Sequence, residues 1–371
     1  MLVLKCYPIA ATQENWLHET IIGAIYEIHA RLDRGDIVAR NQETWRQLIP
    51  DDLAEDNRQK IISSKGIRDR VFEYIEEVEQ LLPVVRPQVL GVMESQNRVS
   101  DLLLGGEEIS SLEVSFPGVQ EKVKKLFIFC FEKLTDFKVR ERQYHIVFNG
   151  LDEKTCPFCG IERVMNPEET AQDQDHYLAK SIYPFSAANM RNLVPMCRCC
   201  NRDYKKAKDV LRCEQGNRRR AFDPYACESP PVVSLLNSWL DTDSNSPLPE
   251  WQVDFIPNSE EAETWDNVFD IRTRYKRDVL DQNFSRWLRD FSSKCRMDMR
   301  RGLISPDMNN DQVKERLKFY FEDKSEFPSI REGFLEPKIF EYLLTQFENG
   351  NERVVNLIRD AVLGVQLEDV A

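Results

Sequence analysis

Four cysteines stand in two short-spaced pairs, Cys156-Pro-Phe-Cys159 followed by Gly160, and Cys197-Arg-Cys-Cys200. Two tight turns that each present a pair of thiolates suit a tetrahedral structural zinc ion. Gly160 sits where the first turn must bring its amides round to face the sulfurs. Cys199 also falls in the second group, but the Cys197 and Cys200 spacing is the one that matches the first pair. Free or oxidised thiols are the ordinary alternative, and paired spacings in a long chain favour metal over oxidation. Between the two pairs lies Asp175-His176, and His176 is the one histidine within 151–220. A lone histidine is more often structural than chemical. Set beside an aspartate and between two cysteine turns, it becomes a candidate acid–base group.

The stretch between the pairs reads DQDHYLAKSIYPFSAANMRNLVPM, and Asn201-Arg-Asp-Tyr-Lys205 follows the last cysteine. In this order the residues resemble the HNH endonuclease family in its zinc-stapled form, whose usual pattern runs CPxCG, DHYLPKSxYP and NLVPxCxxCNxxK. The match extends from Cys156 to Lys205 of a 371-residue chain. It departs at Ala179, where proline is common, and at Lys205, one place later than the usual lysine. Both departures touch loop geometry rather than an acid, base or ligand.

The resemblance implies a ββα-metal unit: a strand bearing Asp-His, a second bearing Asn-Leu-Val-Pro, and a helix that begins at the last cysteine. It implies phosphodiester hydrolysis with four residues at its centre. Neutral His176 is the expected general base, since an imidazole with an ordinary pKa near 6.5 takes a proton from water. Asp175 and Asn201 offer hard oxygen donors to one divalent ion, magnesium or manganese, that polarises the scissile phosphate. Asn192 is the middle asparagine of the motif and fixes the loop around the histidine. Lys180, Arg202, Lys205 and Lys206 are expected phosphate contacts, with a solvated surface charge as the plain alternative for each. Asp173 is a weaker candidate, a carboxylate behind the ligands. Zinc at Cys156, Cys159, Cys197 and Cys200 is a separate, structural ion.

These residues need elements to position them. The first 150 residues read as mostly helical. Apolar residues recur at helical spacing over 13–33, over 67–82 before Pro83, and over about 119–142, with a Gly- and Ser-rich loop around 105–118. Their stripes are core, and His18, His29 and His145 are read as structural. From 151 the texture changes to short, cysteine-punctuated pieces that need a metal to hold them. Asn192 to Met196 reads as a short strand and Asn201 to Leu211 as a helix. After a proline-punctuated segment, 251–256 alternates like a strand, and helices are expected over 263–300, 310–322 and 336–363. Cys213 and Cys227 are left unassigned. The expected fold class is therefore α+β: an HNH module at 151–220, between a helical region at 1–150 and a mostly helical one at 221–371.

Composition limits the alternatives. A chain of 371 residues with 42% apolar content is long enough for two or three domains. No apolar run reaches the roughly 18 to 20 residues that span a bilayer, and the first residues hold no stretch suited to a signal peptide, so no membrane partner and a cytoplasmic location are expected. The net charge of −13 argues against a general nucleic-acid coat protein. Only 151–220 carries more Lys and Arg than Asp and Glu, with Arg202, Lys205, Lys206, Lys208, Arg212, Arg218, Arg219 and Arg220 close together.

The expectation is an HNH endonuclease acting on DNA. Helical, acidic flanks around a small HNH module also resemble the nuclease subunits of bacterial anti-phage defence systems, which work beside an ATPase partner. One alternative keeps the site and changes the substrate to RNA such as transfer RNA. Another is an inactive zinc-stapled binding or scaffold module, against which the Asp-His-Asn-Asn set argues, because zinc turns fold without it.

Overall fold

The computed structural model describes residues 4–169, 174–226, 230–240, 248–326 and 331–364. The fold is mostly helical, with two small two-stranded sheets. Two compact units divide the chain. One comprises Cys6–Lys154 with Val164–Glu228, and the other Met1–Lys5, Thr155–Arg163 and Ser229–Ala371. These units cut the chain differently from the three regions 1–150, 151–220 and 221–371.

The first unit opens with α1 (Trp16–Asp33), α2 (Gln42–Leu48), α3 (Glu55–Ser63) and α4 (Lys65–Val78). It continues with α5 (Arg86–Asn97), α6 (Val99–Leu104), α7 (Pro117–Asp136) and α8 (Val139–Gly150). α1, α4 and α7 are the amphipathic stretches legible in the sequence. The stretch expected over 119–142 is two helices, because Lys138 adopts the left-handed conformation (φ 62°) between α7 and α8. α7 packs on α4, and its residues Val123, Leu126, Phe127 and Cys130 lie in a core with Ile67, Val71 and Tyr74.

That core does not end with the helices. β1 (Gln174–His176) pairs antiparallel with β2 (Leu193–Pro195), His176 opposite Leu193 and Asp175 opposite Val194. The connection between them turns inward, and Phe185, Ala187, Ala188 and Met190 are buried in the same apolar cluster as α4 and α7. Phe185 meets Phe127 edge-on, ring centroids 5.6 Å apart. After β2 comes a π-helical segment, Cys199–Lys205, where a helix was expected from Asn201 to Leu211. It stops early because Lys206 has a positive φ of 51° while the Lys205 side chain is drawn into the interior.

In the second unit β3 (Val232–Ser234) pairs antiparallel with β4 (Asp254–Ile256), at the place where the sequence alternates. α9 (Glu260–Phe269) begins at Ser259, whose hydroxyl accepts the Ala262 N–H at 3.2 Å, and carries three glutamates in its first turn. α10 (Ile271–Arg274) runs through a π-helical turn into α11 (Asp281–Arg300), and α12 (Asn310–Glu326), α13 (Glu336–Glu348) and α14 (Glu352–Leu363) follow. Two expected helices are thus broken. Asp270 (φ 54°) separates α9 from α10, and Gly350 (φ 76°) with the Asn351 cap separates α13 from α14. No described helix is long and apolar enough to cross a membrane.

His18 and His29 of α1 are buried, at 4% and 1% exposure, and the His29 Nε2 lies 2.7 Å from the Tyr74 hydroxyl. Burial pushes both imidazoles down to about 4 from 6.5. A depressed histidine pKa means that the unfolded chain binds more protons, so the stability is present above pH 6.5 and is lost as pH falls towards 4. Urea unfolding should show a loss of no more than about 3 kcal/mol per histidine across that window. Replacing either by leucine should flatten the dependence, and equal stability of the wild type at both ends contradicts the assignment.

Candidate functional site

The first cysteine pair is shaped by backbone. The Gly160 N–H donates to the Cys156 carbonyl at 2.8 Å, the Cys156 N–H donates to the Glu162 carbonyl at 2.7 Å, and Thr155 bridges Arg163. Gly160 has φ +67°, and an added Cβ would meet the Phe334 ring at 3.2 Å. The left-handed backbone strains a residue with a side chain, and the ring would have to give way by a few tenths of an ångström, so both facts favour glycine. Trp265 and Tyr275 hold the turn from outside, donating to the carbonyls of Phe158 (2.9 Å) and Cys159 (3.0 Å). Phe158 packs on Phe269, ring centroids 4.9 Å apart.

The thiols of Cys156, Cys159, Cys197 and Cys200 are all buried and lie within 4.8 Å of one another. A tetrahedron of sulfurs about 2.3 Å from a zinc ion has edges of about 3.8 Å, so the four can hold a metal ion such as zinc. Cys199 is half-buried and stands outside the cluster. Among the described residues no other group of three His, Cys, Asp or Glu side chains converges in this way.

A second constellation lies on β1, β2 and the turn after them. The His176 ring, 7% exposed, places Nε2 2.9 Å from the Ala187 carbonyl. A carbonyl only accepts, so Nε2 carries the proton and Nδ1 keeps the lone pair. Burial, then the positive charges of Lys180, Lys205 and Arg140, push the imidazole down to about 3, against the Ala187 bond. The ring is therefore neutral at physiological pH. It packs on Phe131 of α7, ring centroids 4.2 Å apart.

The loop that supplies Ala187 is held by Asn192, which is fully buried. Its Oδ1 accepts the Leu178 N–H at 2.6 Å, and its Nδ2 donates to the carbonyls of Leu178 (3.0 Å) and Ser186 (3.2 Å) and to the Ser186 hydroxyl (3.1 Å). One amide side chain, at the loop's last residue, thus ties its start to its middle. Gln143 of α8 and Tyr225 both donate to the Leu193 carbonyl, at 3.1 and 2.5 Å, and fix the start of β2.

Lys205 was expected on the surface as a phosphate contact. It is buried, at 1% exposure, with its ammonium 2.7 Å from Asp175 Oδ2 and donating to the His176 carbonyl at 2.9 Å. The reason is electrostatic: Asp175 is buried too, and an interior carboxylate needs a counter-charge. Burial nonetheless raises the Asp175 pKa, and the pull of Lys205 offsets that only in part.

Asn201 is half-buried in the π-helical segment, and its side chain makes no hydrogen bond among the described residues. Arg202 and Lys206 are exposed, and Lys180 is half-exposed, with its ammonium 5.2 Å from the centre of the Phe131 ring. The basic cluster beyond them is divided. Arg219 is buried and donates to the Asp209 carbonyl at 2.7 Å, and Arg218 donates to the carbonyls of Leu102 and Arg219. Asp173 and Cys227 lie outside the described residues.

Phe131 and Arg140 were not foreseen as site residues. Phe131 sat on a stripe read as plain core, and Arg140 sat among the charges of VRERQ. Arg140 Nε donates to the Gln174 side chain at 2.8 Å, and its guanidinium lies 4.4 Å from the Phe131 ring centre. Nothing local in the sequence signals either contact.

No family model, no curated protein and no solved structure matches the chain.

Two outcomes follow from this geometry. Freshly purified protein should hold about one zinc ion per chain by elemental analysis, and Cys159→Ser or Cys200→Ser should lower both zinc content and melting temperature. Zinc-free wild-type protein would contradict the four-thiol assignment. Asn192→Ala removes several buried hydrogen bonds and leaves their partners unpaired, at a cost on the order of 3 kcal/mol in chemical denaturation. A loss below about 1 kcal/mol would mean that the loop holds itself.

Proposed function

We propose that the chain is a metal-dependent HNH-type endonuclease that hydrolyses phosphodiester bonds in DNA. The observation that carries the reading is His176: a neutral, buried imidazole whose Nε2 is engaged by the Ala187 carbonyl, so that Nδ1 is the proton-accepting atom. A neutral imidazole held in one tautomer keeps a lone pair with which it can take a proton from water. The order of cysteine turns, Asp175-His176, Asn192 and Asn201 supports the same reading, since these side chains recur in the zinc-stapled HNH pattern.

The roles then divide by chemistry. His176 takes the proton from the attacking water as the new phosphorus–oxygen bond forms and the bond to the 3′ oxygen breaks. Asn192 is a positioning residue that holds the loop carrying Ala187. Asp175 offers a hard carboxylate oxygen of the kind that a divalent ion takes, in exchange for the Lys205 ammonium now 2.7 Å from its Oδ2, and the Asn201 amide is a second. Magnesium or manganese held by these two would stabilise charge on the phosphorane and on the departing oxygen. Arg202 and Lys206 are exposed, and in this reading they face the phosphate backbone.

The net charge of −13 favours protein partners over further nucleic-acid surface, which agrees with an effector nuclease of an anti-phage defence complex that works with an ATPase. The site itself does not depend on that assignment.

Plasmid DNA should be cut in magnesium or manganese and left intact in chelator. His176→Ala should stay folded, keep its zinc, and lose activity by roughly two to four orders of magnitude. Asp175→Ala and Asn201→Ala should recover part of their loss at high manganese. Cleavage at the wild-type rate by folded His176→Ala would refute the mechanism, and cleavage of total RNA with intact plasmid would move the substrate to RNA.

A further inference from the structure

We propose that Lys205 is a positioning residue that competes with the divalent ion for Asp175, and that the π-helical segment Cys199–Lys205 is the element that yields when the ion displaces it. The proposal rests on the nuclease reading, which supplies the ion, and adds to it a competing cation supplied by the chain itself.

The contact is closely built. The Lys205 ammonium lies 2.7 Å from Asp175 Oδ2 and donates to the His176 carbonyl at 2.9 Å, so one ammonium spans two neighbouring residues of β1. The Lys205 side chain is 1% exposed and that of Asp175 11%. The buried residues of Cys199–Lys205 are Cys200, one of the four clustered thiols, and Lys205. An ammonium taken out of water in this way depends on its carboxylate, so a second cation that takes the carboxylate must release the lysine.

The backbone is shaped to deliver that ammonium. The Lys206 N–H donates to the Asn201 carbonyl at 2.9 Å, five residues back, which is π bonding rather than α. One turn beyond Cys200 stands Tyr204 in an α-helix but Lys205 in a π-helix. The lysine that lies one place later than in the HNH pattern is thus carried inward by the wider turn. The turn closes at Lys206 with φ 51° and ψ −123°, a conformation that suits glycine better than lysine. Wide turns and backbone of this kind gather where a site, rather than packing, sets the shape.

Asn201, the second oxygen donor proposed for the ion, lies in the same segment. Binding the ion and releasing the lysine therefore act on one element. A divalent ion about 2.1 Å from Asp175 Oδ2 and an ammonium 2.7 Å from the same oxygen would be no more than about 5 Å apart, and in the interior they repel. The lysine thereby raises the ion concentration that the site needs.

Manganese binding to the zinc-loaded protein, read from the electron paramagnetic resonance of the free ion, tests this without any cleavage. Lys205→Met, which keeps the side-chain length and removes the charge, should bind manganese about tenfold more tightly than the wild type. Loss of a lysine that only stabilised the fold would leave the affinity equal or weaker, so either result in folded Lys205→Met overturns the proposal. If Lys205→Met does not fold, reductive methylation of the wild type followed by mass spectrometry decides. Lys205 should react slowly in magnesium-free buffer and severalfold faster at saturating magnesium, with exposed Lys206 as the reference, and an unchanged rate overturns the competition. Tighter manganese binding by Lys205→Met, with no cleavage of DNA by the wild type, would keep the competition and remove the nuclease reading. Cleavage of DNA in magnesium, with unchanged manganese affinity in the variant, would do the reverse. Wild type and variant that both bind neither ion would overturn both.

Discussion

A buried polar side chain must have its hydrogen bonds made inside the protein, and for Asn192 this requirement fixes everything around it. Its amide is fully enclosed at the end of the β1–β2 loop, and it meets the requirement by bonding Leu178 at the loop's start and Ser186 near its middle. Ala187 follows Ser186 directly, and its carbonyl determines which nitrogen of His176 bears the proton. The tautomer, and with it any acid–base chemistry, is thus set two steps away by an asparagine that needs no contact with substrate. A network of this kind is stable only when each member is satisfied, which is why partial removal is costly.

The loop is equally a part of the helical core. Phe185, Ala187, Ala188 and Met190 bury their side chains among those of α4 and α7, so the apolar contacts that hold the helices together also anchor the loop. The same arrangement explains the electrostatics. Packing the loop onto helices takes Asp175, His176 and Lys205 out of water together, and desolvation pushes the imidazole towards its neutral form while Asp175 and Lys205 serve as mutual counter-ions. A constellation on an exposed loop would have ordinary pKa values and no fixed tautomer.

The cysteine turns solve a different problem. Their segments are short, and beside the apolar packing of Phe158 on Phe269 they bring four buried thiols within reach of one metal ion such as zinc. Gly160 and the ring of Phe334 show how closely the first turn is packed, since one added methyl group would press on the ring at 3.2 Å. The four-thiol site and the proposed chemistry are thereby separate: none of the four sulfurs belongs to the group around His176.

The sequence by itself determined what depends on neighbours along the chain. The two cysteine spacings, the Asp175-His176 pair followed by an apolar strand, and the helical stripes of α1, α4 and α7 are local patterns, and each lies where its periodicity placed it. The early stop at Lys206 and the breaks at Lys138 and Asp270 were not legible, because a left-handed residue other than glycine leaves little compositional mark. Only the tertiary structure decided that Lys205 faces inward to Asp175 rather than outward to solvent, and that Phe131 and Arg140 flank His176. Those contacts join residues remote in sequence, and a lysine or phenylalanine carries the same local signature whichever partner it meets. Which one it meets follows from how the β1–β2 loop packs on α4 and α7, a balance of burial and charge that no single stretch of the chain contains.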